Sequence, residues 1–380
     1  MNRIYLDHAA TSPVHPQVIN KLVETMEKAY GNPSSIHATG REARKELDHA
    51  RTVLANSIGA KDQDIILTSG GTEADNLAIF GTAYARKNLG SHIITSQIEH
   101  HAVLHACEKL EKEGFDLTYL PVDKQGQVSI EDFKQALRDD TILVTIMLGN
   151  NEVGAIQPIQ EIGHLLKDHQ ATFHTDAVQA YGLMPISVEE LNVDLLSVSS
   201  HKINGPKGIG FLYQRKGTKL SPQLFGGQQE RKRRAGTENV PSVLAFAEAV
   251  SIAQKTMDEK QKLYKHFKEI MISVWEDKGI AFQVNGNVQS TLPHILNVSF
   301  KGTDVEALLV NLDMAGLSVS SGSACTAGSI DPSHVLVAMF GENAEELRNS
   351  IRFSFGYGVT EDDITEAATK TAIVLNRLVK

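Results

Sequence analysis

The sequence predicts an α/β fold in which a large domain, built on a mostly parallel sheet, is joined to a smaller α+β domain. Between residues 64 and 214, short apolar segments of strand length alternate with amphipathic segments of helical period. This alternation is typical of a parallel sheet with helices on both faces. After residue 250 a long helical stretch is followed by strands and helices in mixed order, and 380 residues are enough for a second domain.

The elements of the large domain follow one another at regular spacing. The predicted strands are 64–69, 92–97, 116–122, 141–148, 171–177, 193–199 and 208–214. The predicted helices between them are 71–90, 99–114, 129–140 and 159–170. Gly90 and Gly114 end two of these helices and Ser129 opens a third, which are the usual roles of these residue types. Because parallel sheets bind ligands at the carboxyl ends of their strands, we expect the site there.

The smaller domain follows a connecting helix that is predicted over 249–279. Its predicted strands are 294–300, 316–321 and 350–356, with a helix over 304–316. We place the large domain at residues 16–255 and the small domain at residues 1–15 together with 256–380.

Composition excludes several classes of protein. The formal net charge of −9 argues against a general nucleic-acid binder. The two cysteines, Cys107 and Cys325, lie far apart, which is no disulfide framework and favours a reducing compartment. Residues 1–13 lack the pattern of a signal peptide, and apolar runs such as 141–148 are too short to span a bilayer. We therefore expect a cytoplasmic protein that binds neither nucleic acid nor membrane.

Lys202 stands in "SSHKINGPKG" (199–208), directly after an apolar run that reads as a buried strand. Lysine is rarely buried without a partner, so a surface lysine in a loop is the ordinary interpretation. The chemical alternative is an amine that forms a Schiff base with a carbonyl compound. The segment alone leaves both interpretations open.

The segment "TSGGTEADN" (68–76) joins a predicted strand to a predicted helix. Gly70 and Gly71 permit a close approach of the backbone, the helix start offers free N–H groups to an anion, and Thr72 adds a hydroxyl. A phosphate site and a simple glycine turn that caps the helix are equally compatible with this segment.

Asp176 ends a predicted strand in "FHTDAVQA" (173–180). It either caps the next helix or holds the protonated nitrogen of a pyridine ring, which then acts as an electron sink. Asp176 and Lys202 end consecutive predicted strands, so both can face one site. Gln179, one helical turn after Asp176, can reach a ring substituent.

His100 and His101 start the helix in "IEHHAVLHAC" (98–107). One imidazole can stack on a cofactor ring and move protons, although a solvent-facing pair is the ordinary alternative. His101 and His105 have an i, i+4 spacing but no accompanying set of ligands, so we predict no metal site.

Cys325 lies in "SSGSACTAGS" (320–329), among small and polar residues. Cys107 lies in an amphipathic helix and fits the role of a small buried hydrophobe. Nothing in the sequence around Cys325 would bury it, so we interpret its thiol as a nucleophile that reaches into a site.

Two arginine-containing segments remain. "RKRR" (231–234) reads as a solvated or anion-facing loop, because the chain is acidic and no aromatic residues interleave. Arg352 in "NSIRFSFG" (349–356) is either a paired strand residue or a clamp for a carboxylate.

Taken together, these segments resemble the cysteine desulfurases of the NifS/IscS type, which are pyridoxal-phosphate enzymes of the class V aminotransferase family with the aspartate-aminotransferase fold. The resemblance runs in family order from residue 5 to about residue 358. The matching segments are "YLDHAATSP", "GNPSSIHATGR", "TSGGTEADN", "EHHAVL", "NNEVGAIQPI", "FHTDAVQA", "SSHKINGPKG", "RRAGTENV", "SSGSACTAGS" and "IRFSFG". The stretch around Cys325 resembles the group with a long cysteine loop.

The resemblance implies a pyridoxal 5'-phosphate cofactor and roles for the residues around it. Lys202 would form the Schiff base, Asp176 would pair with the ring nitrogen and Gln179 with the ring oxygen. His100 would stack on the ring and help in proton transfer. The phosphate would be held by Gly71, Thr72, Ser199 and His201.

The resemblance also implies the substrate and the assembly. The family forms homodimers with shared sites, so Thr237 would reach the phosphate in the neighbouring subunit. L-cysteine would bind with its carboxylate at Arg352 and at Asn151, beside the cofactor, and Cys325 would accept the sulfur as a persulfide. Asp75 departs from the commonest family pattern, at a position outside these roles.

The persulfide would pass to a sulfur-acceptor protein, either an iron–sulfur scaffold or an enzyme that thiolates tRNA. The run 67–111 looks most like desulfurases that supply sulfur for tRNA 2-thiouridine. Alternatives of the same fold are a selenocysteine lyase and an aminotransferase, but transamination needs no thiol. A Cys–His hydrolase or a non-catalytic scaffold would leave Lys202 and Asp176 unexplained.

Overall fold

The computed structural model describes residues 3–287, 290–322, 325–326, 329–330 and 332–379, with the backbone alone for 325–326 and 329–330. Its centre is a seven-stranded sheet in the spatial order β2-β8-β7-β6-β5-β3-β4. These strands are β2 (Ile65–Thr68), β3 (His92–Ser96), β4 (Asp116–Leu120), β5 (Thr141–Thr145), β6 (Thr172–Asp176), β7 (Leu195–Ser199) and β8 (Gly210–Gln214). Pairing is parallel except around β8, which is antiparallel to both β2 and β7. The predicted fold class is thereby confirmed.

The helices of this region lie near their predicted places. They are α1 (Pro16–Lys28), α2 (Ala38–Asn56), α3 (Gly71–Arg86), α4 (His101–Lys112), α5 (Ile130–Ala136), α6 (Ile159–Leu165) and α7 (Val240–Asp277). Helix α7 begins nine residues before the predicted connector, because Asn239 caps it by accepting a hydrogen bond from the Ser242 amide at 3.3 Å. Proline in the first turn adds to this start signal. Helix α6 is shorter than predicted, since the chain must turn before it enters β6.

Strand side chains alternate between two apolar cores. In β2, Ile65 and Leu67 belong to the core that also holds residues of α2 and α7, whereas Ile66 belongs to a core with α3. In β8, Phe211 faces the first core and Leu212 the second. Both faces of the sheet are therefore covered by helices, which explains why β2, β3, β5, β6 and β7 are buried at every position.

The second region is a smaller α+β unit. Its antiparallel sheet has the order β14-β10-β9, with β9 (Phe282–Val284), β10 (Ile295–Phe300) and β14 (Ser350–Ser354). Two short pairs accompany it, the parallel pair β1 (Ile4–Tyr5) with β11 (Leu317–Ser318) and the antiparallel pair β12 (Cys325–Thr326) with β13 (Ser329–Ile330). Its helices are α8 (Val305–Met314), α9 (His334–Phe340) and α10 (Glu361–Leu378). No helix in the described ranges is long and apolar enough to cross a bilayer.

Helix α7 contributes to both cores. Its residues from Val240 to Ala253 pack in the core of the large sheet, and those from Tyr264 to Trp275 pack with the small sheet. The predicted domain boundary at 255/256 falls inside this continuous helix and stays a prediction.

Trp275, the one tryptophan of the sequence, is fully buried in the smaller unit. Its ring lies 5.5 Å from that of Phe353 and 5.2 Å from that of Phe300, and its Nε1 donates to the Ala368 carbonyl at 3.1 Å. Phe353 is the neighbour of Arg352 in β14, so this packing also positions that arginine.

We expect Trp275→Ala to lower the free energy of unfolding by about 3–5 kcal/mol, because it removes a large buried ring and leaves a cavity. Trp275→Phe, the matched control, should cost less, since it keeps most of the ring contacts. Urea unfolding followed by circular dichroism measures both. Equal stability of Trp275→Ala and the wild type would contradict this account of the small core.

Candidate active site

A cavity of about 410 Å³ opens at the carboxyl ends of the central strands. It brings together ten of the residues that the sequence predicts for the site. They are Gly71, Thr72, His100, Asn151, Asp176, Gln179, Ser199, His201, Lys202 and Arg352. Residues separated by up to 281 positions therefore meet at one edge of the sheet, as expected for a parallel sheet.

The turn between β2 and α3 forms one wall of the cavity. Gly70 has a φ of 148°, which favours glycine, and a Cβ on Gly71 would lie 2.9 Å from Cγ2 of Val178. The first N–H groups of α3 have no partner within the helix, so they are available to an anion. The adjoining hollow also contains Thr72, Ser199, His201 and Lys207. Hydroxyl, amide and ammonium groups thus converge where a phosphate would bind.

Lys202 ends a single 3₁₀ turn that follows β7 directly. Its Nζ donates to the carbonyls of Ala9 at 2.5 Å and Ala10 at 2.7 Å. Burial, and next the guanidinium of Arg352, lowers the pKa of Lys202 to about 8. A substantial neutral fraction near neutral pH makes this amine a nucleophile. The structure therefore favours the chemical interpretation of this lysine over a surface loop.

Gln179 shares a backbone partner with Lys202. Its Nε2 donates to the Ala9 carbonyl at 2.9 Å, and its Oε1 lies 3.2 Å from Nε2 of His294. The amide is thereby held with one N–H still available at the edge of the cavity.

Asp176 ends β6 and is almost fully buried. Its Oδ1 accepts from the Val178 amide at 2.8 Å, as a turn or capping residue would. Burial raises the pKa of Asp176 to about 6. The carboxyl group therefore lies in a position where a cationic partner would stabilise its charged form.

His100 is the N-cap of α4, and its Nδ1 accepts from the Ala102 amide at 3.1 Å. Desolvation, and next the charge of Lys202, lowers the pKa of His100 to about 4. The neutral ring must then carry its proton on Nε2, since Nδ1 is already an acceptor. His101, the other candidate, lies 4.8 Å from the His334 ring, measured between ring centroids.

Arg352 of β14 is buried and paired within the fold, which is the first of the two roles that the sequence left open. Its Nη2 donates to Asp7 Oδ1 at 2.7 Å and its Nη1 to the Asn151 carbonyl at 2.8 Å. Its Nε is buried and has no partner among the described residues. These bonds use two of the five N–H groups of the guanidinium, so others remain for a carboxylate in the cavity.

The segment that carries Cys325 leaves from the wall of this cavity. Ser320 and Gly322 line it, and Ser320 pairs with Arg352 through an isolated bridge. The backbone of Cys325 lies in the short strand β12, so the predicted loop contains a hairpin. The thiol of Cys325 lies outside the described part of the chain. Cys107 is fully buried in α4 as expected, and burial raises its pKa to about 12.

Thr237 lies outside the cavity, with an exposed side chain. The basic run beside it differs from the solvated loop that we predicted. Arg234 pairs with Glu73 at 2.8 Å, and Arg233 donates to the Ile65 carbonyl at 3.2 Å. Half of the run is therefore engaged within the fold.

Three buried carboxyl groups escaped the sequence interpretation. Asp75 lines the cavity, so its departure from the family pattern does bear on the site. It lies four residues after Gly71, on the same face of α3, a periodicity that could have revealed it. Burial raises the pKa of Asp75, that of Glu99 to about 8 and that of Glu152 to about 7. Glu152 Oε2 also accepts from Ser333 Oγ at 2.5 Å.

Within the described residues, no group of three or more His, Cys, Asp or Glu side chains is arranged to hold a metal ion.

Comparison with known proteins agrees with this geometry. Residues 4–366 match the family described as aminotransferase class-V. The chain is 62% identical to a Bacillus subtilis protein provisionally named cysteine desulfurase IscS 1, and the match covers the full length of both proteins. It is 46% identical to the cysteine desulfurase IscS of Dictyoglomus turgidum, over 99% of this chain and 94% of that one.

Solved structures give the same picture. A NifS-like protein superposes with a TM-score of 0.92 at 34% identity, over 99% of this chain and all of the other. The structure of SspA in complex with cysteine gives a TM-score of 0.80 at 36% identity, over 92% of this chain and 98% of the other. The chain belongs to the class V aminotransferase family and, within it, to the cysteine desulfurases of the NifS/IscS type.

The cofactor of such enzymes is pyridoxal phosphate, and the residues of this cavity fit it. The glycine turn brings the start of α3 to the wall of the cavity, where its free N–H groups could hold the phosphate. Lys202 provides a partly neutral amine for the aldehyde. The Asp176 carboxyl group provides a buried partner for the ring nitrogen.

We expect the cofactor-free protein to show a Lys202 that reacts with carbonyl compounds about half-maximally near pH 8. The folded protein favours the neutral amine, so reactivity rises through that pH, whereas an ordinary lysine titrates near 10.4. Reductive methylation at a series of pH values, read by peptide mass spectrometry, measures this. Exposed Lys216 is the internal control, and parallel profiles for the two lysines would contradict the lowered pKa.

Proposed function

We propose that this enzyme converts L-cysteine to L-alanine and keeps the sulfur as a persulfide on Cys325. The observation that supports this most directly is the convergence of Lys202, Asp176 and Arg352 on one cavity, from whose wall the Cys325 segment leaves. The name of the relative solved with cysteine also supports cysteine as the substrate. Selenocysteine lyase and aminotransferase activity are the alternatives of the same fold.

Bound pyridoxal phosphate supplies an electron-withdrawing ring that stabilises negative charge at the substrate α-carbon. Asp176 would hold a proton at the ring nitrogen, because a cationic ring keeps this buried carboxyl group ionised. Gln179 would donate to the ring oxygen. The turn at Gly71 and Thr72, with Ser199 and His201 beside it, would hold the phosphate at the start of α3.

Proton transfer falls to Lys202 and His100. The Lys202 amine is close enough to neutrality to accept a proton from the α-carbon and to return it, given its pKa of about 8. His100 presents Nε2–H to the cavity, which can donate to an oxygen or a sulfur. The substrate carboxylate would bind at the unpaired Nε of Arg352 and at the Asn151 side chain.

The sulfur transfer balances without a further reactant. The Cβ–S bond of the substrate breaks and an S–S bond to Cys325 forms. The proton that the Cys325 thiol gives up completes the methyl group of alanine, and the proton of the substrate thiol stays on the persulfide. The substrate carbon is reduced while sulfur is oxidised to the persulfide level. A thiolate at Cys325 is the nucleophile in this step.

The destination of the sulfur, the assembly and the location form the rest of the proposal. The sequence of the run 67–111 supports an enzyme that thiolates tRNA to 2-thiouridine as acceptor, with an iron–sulfur scaffold as the second candidate. We propose a cytoplasmic homodimer in which Thr237 of each subunit reaches the phosphate site of the other. Thr237 is exposed and is not among the residues that line its own cavity, which supports this sharing.

We expect Cys325→Ser to abolish sulfide and alanine release from L-cysteine while retaining the bound cofactor, because the sulfur acceptor is lost and the cofactor site is intact. The measurement is product release with added pyridoxal phosphate and a reductant. Cys107→Ser, which removes the buried thiol, is the matched control and should retain activity. Full activity of Cys325→Ser would contradict the proposal. Faster turnover of selenocysteine than of cysteine would favour the selenocysteine lyase alternative.

We expect re-associated mixtures of Lys202→Ala and Thr237→Val subunits to recover activity at limiting cofactor concentration. Each heterodimer has one site with both Lys202 and the partner's Thr237, so random mixing would restore about a quarter of the wild-type activity. Each parent protein alone is the control. No recovery above the parents would show that the site is not shared through Thr237.

A further inference from the structure

The segment that precedes Thr237 has a strained backbone. Glu230, Arg231 and Lys232 have consecutive φ values of 44°, 57° and 67°, in the left-handed region that favours glycine. Non-glycine residues persist there when the surrounding structure determines the conformation, and such segments cluster at functional sites. The contacts around the segment show what holds it.

The buried carboxylate of Glu230 anchors this segment to the edge of the central sheet. It accepts from Arg51 at 2.8 Å and 2.6 Å, in a bidentate pair, and from the Leu67 amide at 3.1 Å. Strand β2 is the edge strand, so the outward amide of Leu67 would otherwise lack a backbone partner. The side chains of this segment therefore cover part of the open edge of β2.

Two ion pairs hold the residues on either side of Thr237. Arg234 donates to both oxygens of Glu73, at 2.8 Å and 3.2 Å, and the Glu73 carboxylate also accepts from the Ser69 amide at 2.8 Å. Glu238, whose side chain is only 4% exposed, pairs with Arg44 at 3.1 Å. An exposed threonine is thus held between two anchored neighbours.

Rigid presentation of an exposed side chain suits a residue that acts on another chain. Thr237 lines neither the cavity nor the adjoining hollow of its own subunit, among the residues described there. We infer that Arg234 is a positioning residue that, through its pair with Glu73, orients Thr237 toward the phosphate site of a second copy of this chain. This inference rests on the shared site of the proposed function. It adds Arg234 as the residue that orients Thr237.

The test uses heterodimers purified through two different affinity tags. The donor chain carries Lys202→Ala and supplies Thr237, whereas the acceptor chain carries Thr237→Val and supplies Lys202. Cofactor is titrated, trapped by borohydride and quantified on Lys202 by mass spectrometry. The trapped fraction reports the affinity of one site in the dimer and does not depend on turnover.

We expect Arg234→Gln in the donor chain to raise the half-saturating cofactor concentration about five- to tenfold, since a bidentate charged hydrogen bond is lost. The same change in the acceptor chain should raise it less than about twofold. Arg234→Lys in the donor should give an intermediate value, because it retains the charge without the fork geometry. Arg138→Gln in the donor, which breaks exposed pairs with Asp116 and Asp140, is the matched control.

Each other outcome has a definite meaning. Equal shifts from the donor and the acceptor chain would overturn the inference, because Arg234 would then act through the phosphate turn of its own subunit. A donor effect no larger than that of Arg138→Gln would also overturn it. If the heterodimer without Arg234→Gln binds cofactor no better than the Thr237→Val homodimer, the proposal of a shared site is wrong. The inference about Arg234 is then wrong as well.

Discussion

The parallel pairing of β6 with β7 is the constraint on which the site depends. Its register aligns Asp176 with Ser197, so the carboxyl group at the end of β6 and the turn that carries Lys202 leave the sheet at the same edge. A slip of one residue would direct the side chains of β7 to the opposite face. The antiparallel neighbour β8 completes the arrangement, since a Cβ on Gly210 would lie 2.9 Å from Cα of Gly70 in the phosphate turn.

Burial drives the groups of this cavity toward their neutral forms. It lowers the pKa of the Lys202 amine and of the His100 ring, and raises the pKa of the Asp176 and Asp75 carboxyl groups. In the proposed function, charge would enter with the ligands, as a phosphate at the start of α3 and as a cationic ring nitrogen beside Asp176. The protein provides dipoles and weakly charged groups in advance, so little reorganisation is needed when the ligands bind.

Residues at strand ends and in glycine turns were predictable because their position follows from local pattern. Apolar runs that form buried strands precede Lys202, Asp176 and the turn at Gly71. A parallel sheet brings the carboxyl ends of such strands together. The pair of Arg352 with Asp7 joins residues 345 positions apart, and no local pattern reveals such a contact.

Other parts of the molecule depend on tertiary structure alone. The burial of Glu99 and Glu152 follows from packing around them, since glutamate is exposed in most sequence contexts. The prediction of a solvated loop for the basic run holds for Arg231 and Lys232 but not for Arg234, because another element supplies the partner of Arg234. The thiol of Cys325 lies outside the described residues, so its role still rests on the sequence and the family.

The covering of the β2 edge has a consequence for biosynthesis. The carboxylate that accepts from the Leu67 amide belongs to Glu230, which follows it by 163 residues. Until that part of the chain is translated, β2 presents an open edge. An open edge pairs readily with strands of other chains, so the nascent protein passes through an interval of exposure to aggregation. Substitutions at Glu230 or Arg51 would then reduce soluble yield in cells, far from any reacting atom.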